Sequence, residues 1–232
     1  KVIEEINVGL NRCGVEPGKP AVELAEKISK SKGLIFEGVL GFEGYAIWIK
    51  EFKEREKACK ECYRKLIETV KEIEKAGINV NTVGAGGTGS FNIAAEYPGI
   101  NEIQPGHYAI MSASHLMIEG IPFKPALTIL TTIISKPTET RAVIDGGVKT
   151  FSLMLGNPIV KDIEGVTVSA LHVEHGILKL SSNCSRNLSV GDKIEFIPAY
   201  SETAINLFDK VYVVKGDEVI ATWKVEARGR VD

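Results

Sequence analysis

Apolar and polar positions along the first half of the chain predict strands and helices in turn. Short apolar runs that indicate strands stand at residues 2–8, 34–41, 79–84 and about 107–111. Between them, the pattern predicts a helix over about 19–31 and a long charged helix over about 50–76, with Gly77 as its left-handed cap. This β/α order is typical of a parallel sheet or barrel, and four such units make half of an eight-stranded barrel.

From about residue 124 onward the pattern changes to short, β-branched segments separated by Gly, Asp or Pro turns. Segments of this kind occupy residues 126–134, 141–144, 165–168, 176–180, 193–197, 211–214 and 219–225. Such spacing favours an all-β domain, and Lys215–Glu218 is its clearest hairpin turn. We therefore predict two domains, an α/β domain at residues 1–123 and a β domain at residues 124–232.

Composition excludes several classes of protein. The 232 residues are 44% apolar with a net charge of -2, so nucleic acid is not an expected partner. We find no apolar run near the roughly 20 residues that span a bilayer and no signal-peptide pattern, and we expect a cytoplasmic protein without a membrane partner. Cys59 and Cys62 form a C-x-x-C in a charged helix without a second pair, so we interpret them as helix-face thiols rather than as a zinc or redox site.

The glycine-rich stretch Val83–Ser90 carries the most informative chemistry. It follows an apolar run and leads into a predicted helix start at residues 90–96. Glycines let the backbone approach an anion closely, and the hydroxyls of Thr88 and Ser90 add two donors. The Walker lysine and the G-x-G-x-x-G spacing are both absent, which argues against a nucleoside triphosphate. We favour a phosphate-bearing cofactor over the alternative of a plain tight connection.

Several segments together resemble known families. Three segments resemble the pyridoxal-phosphate barrel of alanine racemases: Glu5–Gly14, Gly86–Ser90 and Glu102–Tyr108. Others resemble the D-threonine aldolase and D-serine dehydratase family: Asp145–Lys149, Glu174–Gly176, Val190–Lys193, Ile197–Pro198 with Asn206–Leu207, and Trp223–Gly229. The resemblance spans nearly the whole chain in the same order. It implies a partial (β/α)8 alanine racemase-like barrel over residues 1–123, followed by a C-terminal β domain.

The resemblance also implies which residues hold the cofactor. Arg12 falls near the cofactor's phenolic oxygen and the substrate carboxylate, and Gln104 faces the pyridine nitrogen. Tyr108 is expected to stack or hydrogen-bond at the cofactor, with plain packing as the alternative. The residues expected at the phosphate are Gly86, Gly87, Thr88, Gly89 and Ser90, with Gly106 and His107 as further backbone donors.

The chain departs from the family pattern at two places. The lysine that bonds the cofactor has no counterpart here, and we expect it to lie with the first barrel strands outside this sequence. The two metal-ligand positions hold Tyr200 and Glu202 instead of His and Cys or Asp, which weighs against a divalent metal. We assign no metal ligand. Glu202 is either a catalytic base or an exposed loop glutamate, and Asn7 replaces a carboxylate that the family usually shows.

The resemblance implies a pyridoxal-phosphate-dependent lyase that acts on D-3-hydroxy amino acids, as an aldolase or a dehydratase. Arg12, Tyr108 and Glu202 are the catalytic candidates. An amino-acid racemase is the alternative, because racemisation needs only two bases flanking Cα. A non-catalytic pyridoxal-phosphate-binding protein is a third hypothesis. The family's barrel meets the β domain of a second subunit, so we expect a homodimer.

Overall fold

A computed structural model describes residues 1–230, so the last two positions of the predicted β domain lie outside the described part. The chain divides into two compact units. The first comprises Lys1–Ala109 with Met117–Pro122, and the second comprises Ile110–Leu116 with the chain from Phe123 onward. Within the described residues, no helix combines the length and the apolar character needed to cross a bilayer.

The first unit contains the predicted βα order. Its elements are β1 (Val2–Ile6), α1 (Lys19–Lys30), β2 (Phe36–Gly41), α2 (Phe52–Lys75), β3 (Thr82–Ala85), α3 (Phe91–Ala95) and β4 (Glu102–Ile103). The strands form one parallel sheet in chain order. Short 3₁₀ helices lie at Ala46–Trp48 and His107–Ala109.

The strand predicted near residues 107–111 is wrong. The fourth strand lies earlier, at Glu102–Ile103, and His107–Ala109 is a 3₁₀ helix instead. The apolar composition of this segment suggested a strand, but Pro105 has no N–H to donate to a ladder.

Both ends of the long helix α2 are set by local chemistry. The Glu51 side chain accepts hydrogen bonds from the backbone N–H groups of Lys53 (3.0 Å) and Glu54 (2.6 Å), and these bonds lower the pKa of its carboxyl. At the other end, Gly77 has φ 82° and the Ile78 N–H donates to the Ile73 carbonyl at 3.3 Å. The predicted left-handed cap is confirmed.

Helix α2 covers one face of the sheet with residues spaced three and four apart. Its fully buried side chains include those of Cys59, Cys62, Tyr63, Leu66 and Ile73. They belong to the same core as apolar residues of β1 to β3, such as Ile6, Val39 and Val83. The two cysteines are therefore buried core side chains on the helix face.

The second unit is built on antiparallel strands. They are β5 (Ile129–Thr138), β6 (Arg141–Ile144), β7 (Ile159–Val160), β8 (Val166–Leu171), β9 (Gly176–Leu180) and β10 (Lys193–Ile197), with sheet order β7-β10-β5-β6-β9-β8. The predicted hairpin is confirmed as β11 (Lys210–Lys215) and β12 (Glu218–Lys224). Two short helices, α4 (Val148–Phe151) and α5 (Ser201–Ile205), modify the all-β expectation.

Candidate active site

The four parallel strands end in register at one edge of the sheet. The last residues of β1 to β4 are paired partners across the sheet: Ile6, Gly41, Ala85 and Ile103. The segments that follow these four residues therefore emerge side by side. Carboxyl ends of parallel strands are where α/β barrels and sheets place their ligands.

An open cavity of about 230 Å³ lies at this edge, lined by Glu5, Arg12, Leu40, Phe42, Ala85, Gly86 and Gln104. Three of these residues, Arg12, Gly86 and Gln104, are ones that the sequence assigned to a cofactor. They come from the segments after β1, β3 and β4, so the fold brings together residues far apart in the sequence. The cavity combines a cation, a carboxylate, an amide side chain and a glycine turn with the apolar residues Leu40, Phe42 and Ala85.

Arg12 is presented by a closed turn that returns to β1. The Asn7 N–H donates to the Val15 carbonyl at 2.8 Å, and the Val15 N–H donates to the Glu5 carbonyl at 2.9 Å. The Arg12 guanidinium lies 5.3 Å from the centre of the Phe42 ring and 3.9 Å from the Glu5 carboxylate. Its side chain is 60% exposed, which leaves most of its donors accessible.

Asn7 organises this turn with its side chain. Its Oδ1 accepts from the N–H groups of Gly9 (3.2 Å) and Asn11 (3.1 Å). Its Nδ2 donates to Asn11 Oδ1 at 3.0 Å and to a Glu16 carboxylate oxygen at 2.8 Å. An aspartate would keep the two accepted bonds but would oppose Glu16 with a like charge. Asparagine therefore suits this position better than aspartate would.

The glycine loop of residues 86–90 is packed so closely that side chains would not fit at two of its glycines. A Cβ added at Gly86, where φ is +83°, would lie 2.7 Å from Ala94 Cβ. A Cβ at Gly89 would lie 2.5 Å from the backbone oxygen of Ile47. Glycine is therefore required at these two positions by the close approach of Ala94 and of the Ile47 backbone.

Several donors of this loop are already bonded within the protein. The Gly86 N–H donates to the Glu43 carboxylate at 3.3 Å, and the Gly87 N–H donates to Ser90 Oγ at 3.0 Å. The Ser90 hydroxyl itself donates to Glu43. We expect the two remaining amides of the loop, those of Thr88 and Gly89, to be the ones that bind an anion. Direct contact of Ser90 with phosphate stays a prediction. In this structure its hydroxyl donates to Glu43 instead.

The remaining predicted residues of the first unit lie along the chain after β4. The Gln104 N–H donates to the carbonyls of Ala85 (3.3 Å) and Gly86 (3.2 Å), and Gln104 Nε2 donates to Glu102 at 2.6 Å. The Tyr108 N–H donates to Thr88 Oγ1 at 3.0 Å, which ties this segment to the glycine loop. Gly106 is exposed and His107 is buried.

Tyr200 and Glu202 belong to the second unit. Glu202 is exposed in the first turn of α5. Burial, and then the charge of Glu202, raise the pKa of the Tyr200 phenol, so this side chain stays neutral at physiological pH. A neutral phenol and one carboxylate do not make the ligand set of a divalent ion. Among the described residues, no cluster of three or more His, Cys, Asp or Glu side chains is arranged to hold a metal.

Sequence reasoning assigned no role to four residues that line the cavity, Glu5, Leu40, Phe42 and Ala85, or to Glu43, which bonds the glycine loop. Phe42 and Glu43 follow β2 at the same edge of the sheet, in the stretch Gly41-Phe42-Glu43-Gly44. The signal that could have found them is this position at the carboxyl end of a predicted strand, next to a glycine on either side.

Comparisons with known proteins agree with the fold. Residues 1–114 match the family model described as alanine racemase, N-terminal domain, and residues 126–214 match the one described as putative serine dehydratase domain. The fold is thus alanine racemase-like, a partial barrel followed by a C-terminal β domain, as the sequence predicted.

Within that class, the chain is similar to two curated aldolases and to a solved structure. It is 28% identical to a D-threonine aldolase of Arthrobacter sp, over 98% of this chain and 61% of that protein. It is 29% identical to a 3-hydroxy-D-aspartate aldolase of Paracoccus denitrificans, over 99% of this chain and 60% of that protein. The crystal structure of D-threonine aldolase from Filomicrobium marinum superposes with a TM-score of 0.95 at 33% identity, covering 100% of this chain and 64% of that one.

These matches confirm the resemblance to the D-threonine aldolase and D-serine dehydratase family. The chain spans about three fifths of the length of the curated relatives that it matches.

Proposed function

We propose that the protein is a pyridoxal-phosphate-dependent lyase that acts on D-3-hydroxy amino acids, as a D-threonine aldolase or a D-serine dehydratase does. The observation that carries this proposal is the cavity that joins Arg12, Gly86 and Gln104 at the carboxyl edge of the sheet. The similarity to aldolases of D-threonine and of 3-hydroxy-D-aspartate supports the substrate class.

The residues of the cavity suit the different parts of pyridoxal phosphate. The amides of Thr88 and Gly89 would receive the phosphate, at a turn where Gly86 allows the backbone to come close. Arg12 offers a planar fork of donors to the phenolic oxygen and the substrate carboxylate. Gln104 would face the ring nitrogen. Because its Nε2 is engaged by Glu102, its oxygen is the atom left to accept a hydrogen bond there.

When bound, pyridoxal phosphate supplies an electron sink that stabilises the negative charge left at Cα when a bond to it breaks. The chain's own part is to hold the substrate carboxylate and to move a proton. We propose Arg12 for the first task. For cleavage of the aldolase kind, Glu202 is our candidate for accepting the proton of the β-hydroxyl, and this role rests on the sequence resemblance. No step is assigned to a metal.

Racemisation is the second candidate, because the alanine racemase N-terminal model matches residues 1–114. The assay that separates the two uses the purified protein with pyridoxal phosphate and D-threonine. A lyase gives acetaldehyde, or with D-serine gives pyruvate, and a racemase gives the L-isomer, which chiral chromatography detects. Retention of the cofactor with none of these products would refute both the lyase and the racemase hypotheses. The hypothesis of a non-catalytic pyridoxal-phosphate-binding protein would then remain.

Arg12→Ala is the matched variant for this assay. It removes the guanidinium from the cavity while its exposed position limits the structural damage. We expect product formation to fall about a hundredfold or more, since a charge-assisted contact to the reacting molecule is lost. Unchanged turnover in this variant would contradict the proposed site.

We also propose that the protein acts as a homodimer in the cytoplasm. The β11–β12 hairpin supports a dimer, because its side chains of Tyr212, Val214 and Trp223 are each more than half exposed. The cytoplasmic location is expected from the sequence, whose four cysteines have no spacing typical of a disulfide framework. Light scattering that shows a monomer at working concentration would contradict the dimer, and fractionation of the source cells tests the location.

A further inference from the structure

A buried carboxylate lies directly behind the glycine loop. Glu43 is fully buried after β2. Its carboxylate accepts hydrogen bonds from the Tyr63 hydroxyl at 2.8 Å, from the Gly86 N–H at 3.3 Å and from the Ser90 hydroxyl. A buried carboxylate needs such donors, because burial of a charge without partners is costly.

Two of these three donors are the first and last residues of the glycine loop. Glu43 therefore connects Gly86 to Ser90 across the base of the loop. Ser90 Oγ also accepts from the Gly87 N–H at 3.0 Å, which extends the same network to a third loop residue. An acceptor-only group of two oxygens suits this pattern, since the Tyr63 hydroxyl, the Gly86 N–H and the Ser90 hydroxyl all donate to it.

The turn that contains Glu43 also supports the middle of the loop. The Glu43 carbonyl accepts from the Ala46 N–H at 2.8 Å and so starts the 3₁₀ helix Ala46–Trp48. Within that helix, Ile47 lies so close to Gly89 that an added Cβ there would be 2.5 Å from the Ile47 oxygen. One short segment thus fixes both ends of the loop through Glu43 and its middle through Ile47.

We propose that Glu43 is a positioning residue for phosphate binding: it holds the ends of the loop so that the amides of Thr88 and Gly89 stay directed at the anion. This inference rests on the proposed function. The opposite hypothesis is that the Glu43 carboxylate repels the phosphate and so weakens its binding. The two readings predict opposite signs for the effect of removing the charge.

The test compares wild type with Glu43→Gln in the protein expressed from its complete gene. Glutamine keeps the size but offers one acceptor oxygen to three donors, and its amide hydrogens face groups that themselves donate. We expect the Kd of pyridoxal phosphate, measured by equilibrium dialysis, to rise at least about tenfold. The Kd of pyridoxal, which lacks the phosphate, should change less than about twofold, because Glu43 acts on the phosphate loop alone.

Tyr63→Phe is the comparison variant, because it removes a donor of Glu43 that lies outside the loop, while its hydroxyl also bonds Ser90. We expect it to lower the melting temperature and to raise the Kd of pyridoxal phosphate less than Glu43→Gln does, because Gly86 and Ser90 keep their bonds to the Glu43 carboxylate. Ser90→Ala removes one anchored end and should weaken pyridoxal phosphate binding in the same direction as Glu43→Gln. If the melting curve shows that Glu43→Gln does not fold, the Kd of pyridoxal phosphate is compared between Ser90→Ala and Tyr63→Phe instead.

The outcomes separate this inference from the proposed function. Wild type that binds neither pyridoxal phosphate nor inorganic phosphate refutes the proposed function. Wild type that binds pyridoxal phosphate, together with a Glu43→Gln variant that binds it equally or more tightly, overturns the role of Glu43 and leaves the proposed function standing. Equal weakening of pyridoxal phosphate and pyridoxal would also overturn it, because that result reports general damage to the site.

Discussion

Glu4 predicts a pH dependence of stability that can be worked out from its surroundings. It lies on β1, with its side chain on the same face as Ile6, and its register partner on β2 is Val39. It is only 3% exposed, and neither carboxylate oxygen has a hydrogen-bond partner within residues 1–230. Burial without such partners disfavours the charged form and raises the pKa of Glu4 from 4.5 to about 7.

The sign follows from proton linkage. Between pH 4.5 and about 7 the folded state keeps a proton on Glu4 that the unfolded state releases. The contribution of Glu4 to the free energy of unfolding is therefore largest below pH 4.5, and it falls as the pH rises towards 7. At about 1.4 kcal/mol per pKa unit, the shift corresponds to a loss of about 3 kcal/mol across that window.

Glu4→Gln removes the titration while keeping the size and polarity of the side chain. We expect the difference in free energy of unfolding, wild type minus variant, to fall by about 3 kcal/mol from pH 4.5 to pH 7.5, measured by urea unfolding at several pH values. Glu23→Gln, on an exposed position of α1, controls for the loss of one carboxylate. Parallel pH profiles of wild type and Glu4→Gln would refute the reasoning.

Three further substitutions test the site itself. Gly89→Ala places a Cβ 2.5 Å from the Ile47 oxygen, so we expect a loss of about 2 kcal/mol of stability and weaker binding of pyridoxal phosphate; a wild-type melting curve would contradict this. Asn7→Asp opposes Glu16 with a second carboxylate, and its destabilisation should shrink in high salt, which denaturation with and without added salt checks. Arg12→Lys keeps the charge but loses the planar fork, so we expect about a tenfold lower kcat/KM with D-threonine; kinetics equal to wild type would show that charge alone suffices.

Local signals in the sequence predicted the elements of both units. The three- and four-residue spacing of apolar side chains marks α2, and the β-branched segments mark most of the antiparallel strands, because these periodicities are properties of neighbouring residues. The same reasoning failed near residue 107, where apolar composition was taken for a strand although Pro105 limits pairing. It also missed the two-residue strand β7, which is too short to show a period.

The candidate site divides in the same way. The composition of the sequence by itself indicated the glycine loop, because that is a short motif of neighbouring residues, whereas the roles of Arg12 and Gln104 were expected only from the resemblance to a known family. Only the tertiary structure decided that these segments line one cavity, since that depends on the register of four strands. It also decided that Glu43 holds the loop from behind: Glu43 and Ser90 are 47 positions apart, and no local pattern connects residues at that distance.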